Sequence, residues 1–306
     1  MHVNNIRVNT ALGIFAILFW STNVAFSRSI VEQLGLLTAG AAMFLLGGLL
    51  SLIYTGWKEK GLHFLKRTSK KYLFGCGSLF IVNTVTFLVA VGASATRTQS
   101  VIAGLINNIW PVLGIWFSLF ILKKKAKNYL FFGIALALGG MWLASTNGEV
   151  LNYQEALQPA SFGVYAIALV AAISWGLYSN WSHKWAGDQD SGVVPVFLLC
   201  TGILLGLLRL FIPETASLTS TTFLELAYMV VFPTMLAYIF WDAAMRKGDM
   251  VTAVSFSYFI PLFSLIFSSL RLGVQLRPDI WVAALMIIGA AYICRQAIVD
   301  RPEQNQ

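Results

Sequence analysis

Two asparagines, an indole and a proline stand together at Asn107-Asn108-Ile109-Trp110-Pro111, in the middle of an apolar run over about 99 to 121. Side chains of these types bind rather than catalyse: carboxamides give and take hydrogen bonds, and an indole adds a flat apolar face with one N–H donor. Pro111 has no N–H and its ring displaces the preceding turn, so the carbonyl of Asn107 is expected to lose its helical partner. In hydrocarbon, a freed carbonyl is tolerated only where it is buried in protein or lines a cavity. The arrangement returns 150 residues later, where Pro261 interrupts a second apolar run and is expected to free the carbonyl of Ser257. Midplane breaks in two corresponding halves point to a transporter's binding site, with Pro111 and Pro261 as hinges.

Other side chains of the same kind stand at helical spacing. Trp20, Asn23 and Ser27 fall on one helix face, and Trp175, Tyr178 or Ser179, and Ser182 repeat the pattern. A third segment adds Asn83, Thr84 and Phe87, and an eighth adds Pro233, Thr234, Tyr238 and Trp241. The candidate binding set is therefore Trp20, Asn23, Asn83, Phe87, Asn107, Trp110, Trp175, Tyr178, Tyr238 and Ser257. Two plainer readings compete with it. Trp and Tyr commonly anchor helices at the membrane surface, which suits Trp57, Trp181, Trp185 and Trp281; hydroxyls such as Thr84 and Thr234 commonly bond one helix to another.

Acids and bases are scarce where they would matter. Asp242 has Arg246 one turn further on and is read as a local ion pair at the end of its helix, while Glu225 is placed close to the outer surface. His2, His63 and His183 fall in loops or at helix ends, so no base, haem ligand or metal site is expected, and no cofactor. Buried carboxylates mark proton relays, and their absence argues against ion coupling as well as against a membrane enzyme.

The elements that position these residues follow from composition. Hydrophobic residues make up 58% of the 306 and charged ones 11%, with a mean hydropathy of +0.73. A soluble domain runs at about 45–50% apolar and about 25% charged, so this is an all-α integral membrane protein. Apolar runs at about 10–27, 37–56, 72–94, 99–121, 128–145, 161–182, 192–212, 222–243, 250–271 and 279–296 predict ten transmembrane helices. Nothing is left over for a soluble domain.

The net charge of +8 does not mean a nucleic-acid partner, because lysine and arginine lie in short segments between the runs. With cytoplasmic termini, sixteen of the 21 fall inside, and Arg28, Arg97, Arg209, Arg271 and Arg277 outside, as the positive-inside rule asks. Five helices per half is an odd number, so residues 1–150 and 151–306 are predicted to be inverted repeats of one membrane domain. At an offset of 150, Thr84, Pro111, Ser118 and Gly139 meet Thr234, Pro261, Ser268 and Gly289; at 155, Trp20 and Ser27 meet Trp175 and Ser182. Gly47-Gly48, Gly139-Gly140 and Gly289-Ala290 read as close helix contacts. Cys76, Cys200 and Cys294 lack paired or metal-like spacing and read as packing residues. Trp20-Ser21-Thr22-Asn23 stands where a cleavage site would be wanted, so the first run is expected to remain as a span.

Taken in order, Leu18-Phe19-Trp20-Ser21-Thr22 with Arg28, Ala95-Thr96-Arg97-Thr98-Gln99, Asn107 with Trp110-Pro111, and Trp175 with Tyr178 resemble the drug/metabolite transporter superfamily. Within its ten-helix, two-repeat branch they resemble the YddG-type aromatic amino acid exporters of bacterial inner membranes. The resemblance departs at Asn83 and Thr84, where related exporters carry a tyrosine and an acidic residue. It implies export of aromatic and other bulky neutral amino acids across a bacterial cytoplasmic membrane, by alternating access through a cavity between the repeats. The expected partners are a small-molecule substrate and the lipid bilayer, with the protein as a monomer and transport as facilitated diffusion. A broad exporter of drugs or metabolites would use the same cavity and stays open as an alternative.

Overall fold

The computed structural model describes residues 2–61, 63–146, 154, 157–186, 192–272 and 277–299, and nearly all of them are helical. The first half contributes α1 (His2–Ser21), α2 (Asn23–Leu34), α3 (Leu36–Lys58) and the short α4 (His63–Arg67). It continues with α5 (Lys71–Gly92), α6 (Arg97–Asn107), α7 (Trp110–Ile121) and α8 (Leu130–Thr146). The second half contributes α9 (Pro159–Trp185), α10 (Val194–Phe211), α11 (Ser220–Lys247), α12 (Met250–Phe256), α13 (Ile260–Leu272) and α14 (Asp279–Ala297). Among the described residues, eight helical stretches are long and apolar enough to cross a membrane, and α8, at 17 residues, is a shorter apolar helix. The first predicted run, 10–27, proves longer: helix extends from His2 to Leu34, interrupted at Thr22, whose hydroxyl donates to the Phe19 carbonyl at 2.7 Å.

Both proline breaks are present, and they differ in detail. In the first half the helix stops at Asn107 and restarts at Trp110, with Pro111 in the first turn of α7. The turn tightens as the Ile109 N–H bonds the Ile106 carbonyl at 3.1 Å. In the second half a 3₁₀ turn, Ser257–Phe259, separates α12 from α13. Here the expectation is corrected: the Ser257 carbonyl is not freed, because the Ile260 N–H reaches it one residue ahead of the proline. A 3₁₀ bond closes over three residues instead of four and so bypasses the missing donor.

Among the described residues, three segments start on side-chain caps, one of them α11, where Thr219 accepts from the Thr222 N–H at 3.2 Å. Thr96 accepts from the Gln99 N–H at 3.2 Å while Gln99 Oε1 accepts from the Ala95 N–H at 2.8 Å, a reciprocal cap that opens α6. Gln99 Nε2 then donates to Ser161 Oγ at 2.7 Å and ties the start of α6 to α9. Asp249 caps α12 through the Thr252 N–H and pairs with Arg295 at 2.7 Å. Burial pushes its carboxyl up, but the Thr252 amide and hydroxyl, Arg295 and Lys124 outweigh that and hold it below its ordinary 3.8.

Helices pack across the halves rather than within them. The main partners are α3 with α10, α8 with α14, α5 with α9, and α1 with α11. Exchanging α1 with α9, α3 with α10, α5 with α11 and α8 with α14 leaves that set unchanged. At the α3–α10 crossing the backbones touch: a Cβ on Gly48 would lie 2.8 Å from the Leu199 nitrogen, and one on Gly202 2.6 Å from the Leu45 nitrogen. The glycine pairs read as close contacts lie at such crossings, Gly140 facing the Ala283 carbonyl and Gly289 facing Leu136. A two-residue antiparallel pairing, Lys125–Ala126 with Ile298–Val299, joins the segment after α7 to the chain after α14.

The surface fits a lipid environment. Phe131, Leu210, Phe211, Leu285, Trp57 and Trp281 are all exposed, as helices presented to hydrocarbon require. Trp181 and Trp185 stack on each other at 4.7 Å and are half-buried against the core. Cys200 is exposed, whereas Cys76 and Cys294 are buried packing residues. Glu225, near the start of α11, is buried against the protein.

Candidate functional site

A cavity of about 470 Å³ lies where the broken α6–α7 and α12–α13 segments meet α1, α2, α5, α8, α9 and α11. Trp20, Trp110, Trp175, Tyr238 and Phe87 supply ring surface to it, and Asn23, Asn83, Asn107, Asn108, Ser100, Ser145 and Ser264 supply amides and hydroxyls. Ile260 and Pro261 bring the second break to its wall. No charged residue is found among these lining residues.

The aromatic floor is built around Trp175, which is buried. It meets Trp20 edge to face at 5.6 Å and Trp110 at 6.3 Å, and it stacks on Tyr178 at 4.8 Å. Each such pair contributes about 0.5–1.5 kcal/mol beyond area burial. The indole of Trp20 is fixed by donation to the Pro233 carbonyl at 3.1 Å. Pro233 lies in a π-helical turn of α11, Val230–Leu236, and such turns leave carbonyls available for side chains. Asn83 is held likewise, its Nδ2 donating to the Ala171 carbonyl of α9 at 2.9 Å. The side-chain oxygens of Asn23 and Asn107 are buried and have no hydrogen-bond partner among the described residues.

Behind the floor the aromatic packing continues through Trp241, Tyr178, Phe80, Phe197 and Tyr72. It ends on Asp242. Asp242 pairs with Arg246 at 2.8 Å, as expected, both side chains are buried within the protein, and the Tyr72 hydroxyl donates to the same carboxylate. Taking two charges out of water costs several kcal/mol per ion, and the extra phenol hydrogen bond helps offset it. His183, on the adjacent end of α9, has its Nδ1 2.7 Å from the Met245 carbonyl.

Of the ten residues singled out as a binding set, Trp20, Asn23, Asn83, Phe87, Asn107, Trp110, Trp175 and Tyr238 line the cavity. Tyr178 and Ser257 do not. Tyr178 is covered by Trp175, and Ser257 is buried with its hydroxyl turned back to the Ala253 carbonyl at 3.3 Å. Pro111 is buried behind the wall, whereas Pro261 is part of it. Ser100, Ser145 and Ser264 were missed, and Asn108, part of the opening motif, also lines the cavity though it was not counted in the set. Ser100 and Gly104 lie seven and three residues before Asn107, and Ser264 lies seven after Ser257, so helical spacing carried back from the breaks would have found them.

A bundle of apolar helices that surrounds an uncharged cavity at two helix breaks defines a multi-pass membrane transporter. The sequence model of the EamA-like transporter family matches residues 10–146 and again 162–295, and the chain belongs to that family. The aromatic amino acid exporter YddG of Escherichia coli (strain K12) is 28% identical over 289 residues, 93% of this chain and 96% of that protein. Its namesake in Salmonella typhimurium (strain 14028s / SGSC 2262) is 29% identical over 291 residues, 93% and 96% of the two chains. A crystal structure of another protein shares the fold with a TM-score of 0.80, at 24% identity over 95% of this chain and 99% of that one.

Proposed function

We propose that this transporter exports aromatic and other bulky neutral amino acids across a bacterial inner membrane, with the cavity at the two helix breaks as its binding site. The observation that carries the reading is the cavity's composition. Three indoles and a phenol ring accept a flat side chain, and amides and hydroxyls without a fixed charge accept a zwitterion and let it go. The likeness to proteins named as aromatic amino acid exporters agrees with it.

The same proposal includes ten spans in two inverted five-helix repeats, with both termini cytoplasmic, working by alternating access. Two features support it: the family model matches the chain twice, and the main helix pairs survive exchange of the halves. Transport is facilitated diffusion in this reading. Asp242 does not line the cavity, and its carboxylate is engaged by Arg246 and Tyr72.

The test is counterflow of labelled tryptophan, phenylalanine, threonine and methionine in liposomes containing the purified protein, with and without a pH gradient. Counterflow of the aromatic pair is expected, unchanged by the gradient. Liposomes that exchange none of the four would remove the export reading, and strong acceleration by the gradient that survives Asp242→Asn would remove facilitated diffusion.

A further inference from the structure

Glycines at the helix crossings are explained by packing: a Cβ on Gly47 or Gly48 would lie 2.8 Å, and one on Gly202 2.6 Å, from a neighbouring segment. Gly104 is different. A Cβ there would meet no neighbouring atom within 4 Å among the described residues. Glycine is also a poor helix former, and Gly104 lies inside α6 without a positive φ, so neither packing nor backbone conformation asks for it. What it faces is the cavity. Ser100, Val101, Gly104, Leu105, Asn107 and Asn108 all line it. At about 100° per residue they cover about 160° of the helix surface, with Gly104 within about 20° of the middle. The second half leaves no matching space. At the offset of 150 stands Val254, which is buried beside Gly114 and is absent from the lining.

We propose that Gly104 is a specificity-determining residue of the site: the space left by its missing side chain receives the bulky end of the substrate and sets the largest side chain the transporter accepts. The inference rests on the export reading for the location of the site and adds the residue that fixes its upper size limit. A volume of about 470 Å³ lies toward the lower end of the roughly 300–1,000 Å³ usual for small-molecule sites. One branched side chain at position 104 therefore takes space that a bicyclic indole needs before it excludes a single ring.

Counterflow of labelled tryptophan and of phenylalanine is measured on liposomes of the parent, Gly104→Ala, Gly104→Leu and Gly163→Leu. Gly163 has the same freedom from contacts, but it is exposed near the start of α9 and does not line the cavity. Within one preparation the tryptophan-to-phenylalanine ratio is independent of how much protein has been reconstituted. That ratio should fall stepwise from the parent through Gly104→Ala to Gly104→Leu, about tenfold in all, and keep the parent's value in Gly163→Leu. Where Gly104→Leu exchanges neither amino acid, Gly104→Ala alone decides. A ratio unchanged by substitution at position 104, or lowered equally by Gly163→Leu, would overturn the inference and leave the export reading standing. A parent that exchanges neither amino acid would overturn both.

Discussion

Trp175 holds the floor of the cavity through ring contacts to Trp20, Trp110, Tyr178, Tyr238 and Trp241. Replacing it with alanine removes ring area from a ligand and leaves a hole among its neighbours. Burying an aromatic side chain contributes on the order of 1.5–3 kcal/mol, so apparent affinity for tryptophan should fall about tenfold to a hundredfold. The cavity term acts on stability instead, at roughly 3–5 kcal/mol for an aromatic cut to alanine. Protein amount and transport per protein are therefore measured separately, with Trp281→Ala as the lipid-exposed control. A Trp175→Ala protein that is scarce yet transports normally per molecule would show that the residue only packs. The Asp242–Arg246–Tyr72 cluster belongs to the same scale. Its geometry is that of a buried, satisfied ion pair, where removing one partner costs far more than the pair contributes.

At the scale of elements, the loop after α10 clamps the start of α3. Glu214 accepts from the Leu37 and Thr38 N–H groups at 2.8 and 2.9 Å and from the Thr38 hydroxyl, with Arg209 Nε at 3.4 Å. Burial pushes this carboxyl up, but those amides, the hydroxyl and the guanidinium outweigh it and hold it below its ordinary 4.5. A depressed carboxyl contributes stability above its unfolded value and loses it as pH falls through the folded one. The clamp should accordingly hold above 4.5 and loosen below it. Melting temperature followed from about pH 7 to about pH 3 should fall more steeply for the parent than for Glu214→Gln, whose amide does not titrate over that range. Parallel slopes would show that the clamp adds nothing. The reciprocal Thr96/Gln99 cap plays the matching part at α6 and explains why Ala95-Thr96-Arg97-Thr98-Gln99 occurs as a unit: it starts a helix and ties it to α9.

For the whole molecule, the charge distribution makes a topology prediction that packing does not. Cysteines introduced at Lys66 and Lys124 should be shielded from an impermeant reagent in intact cells, while one at Glu149, outside the described residues, should react. Cys200 is exposed on the bundle and has to be replaced first, so that any signal comes from the introduced thiol. Labelling at position 66 from outside would overturn cytoplasmic termini.

How much of this was legible beforehand depended on whether a residue's role is local. Apolar runs of bilayer length and prolines inside them are properties of a continuous segment, and so the membrane class, most helix limits and both breaks could be read from the chain directly. Eight of ten expected lining residues face the cavity for a related reason: polar side chains in an apolar helix are placed by periodicity on the side away from lipid. Which layer they occupy is not local. Tyr178 shares a face with Trp175 yet is shut out because that indole stacks over it, and Ser257 turns inward because a 3₁₀ turn rotates the chain just before Pro261. Nor could the sequence place Asp242. Its companion Arg246 is one turn away, but the Tyr72 hydroxyl comes from 170 residues earlier, and only the packing of α9 against both α5 and α11 brings that phenol to the carboxylate and buries all three.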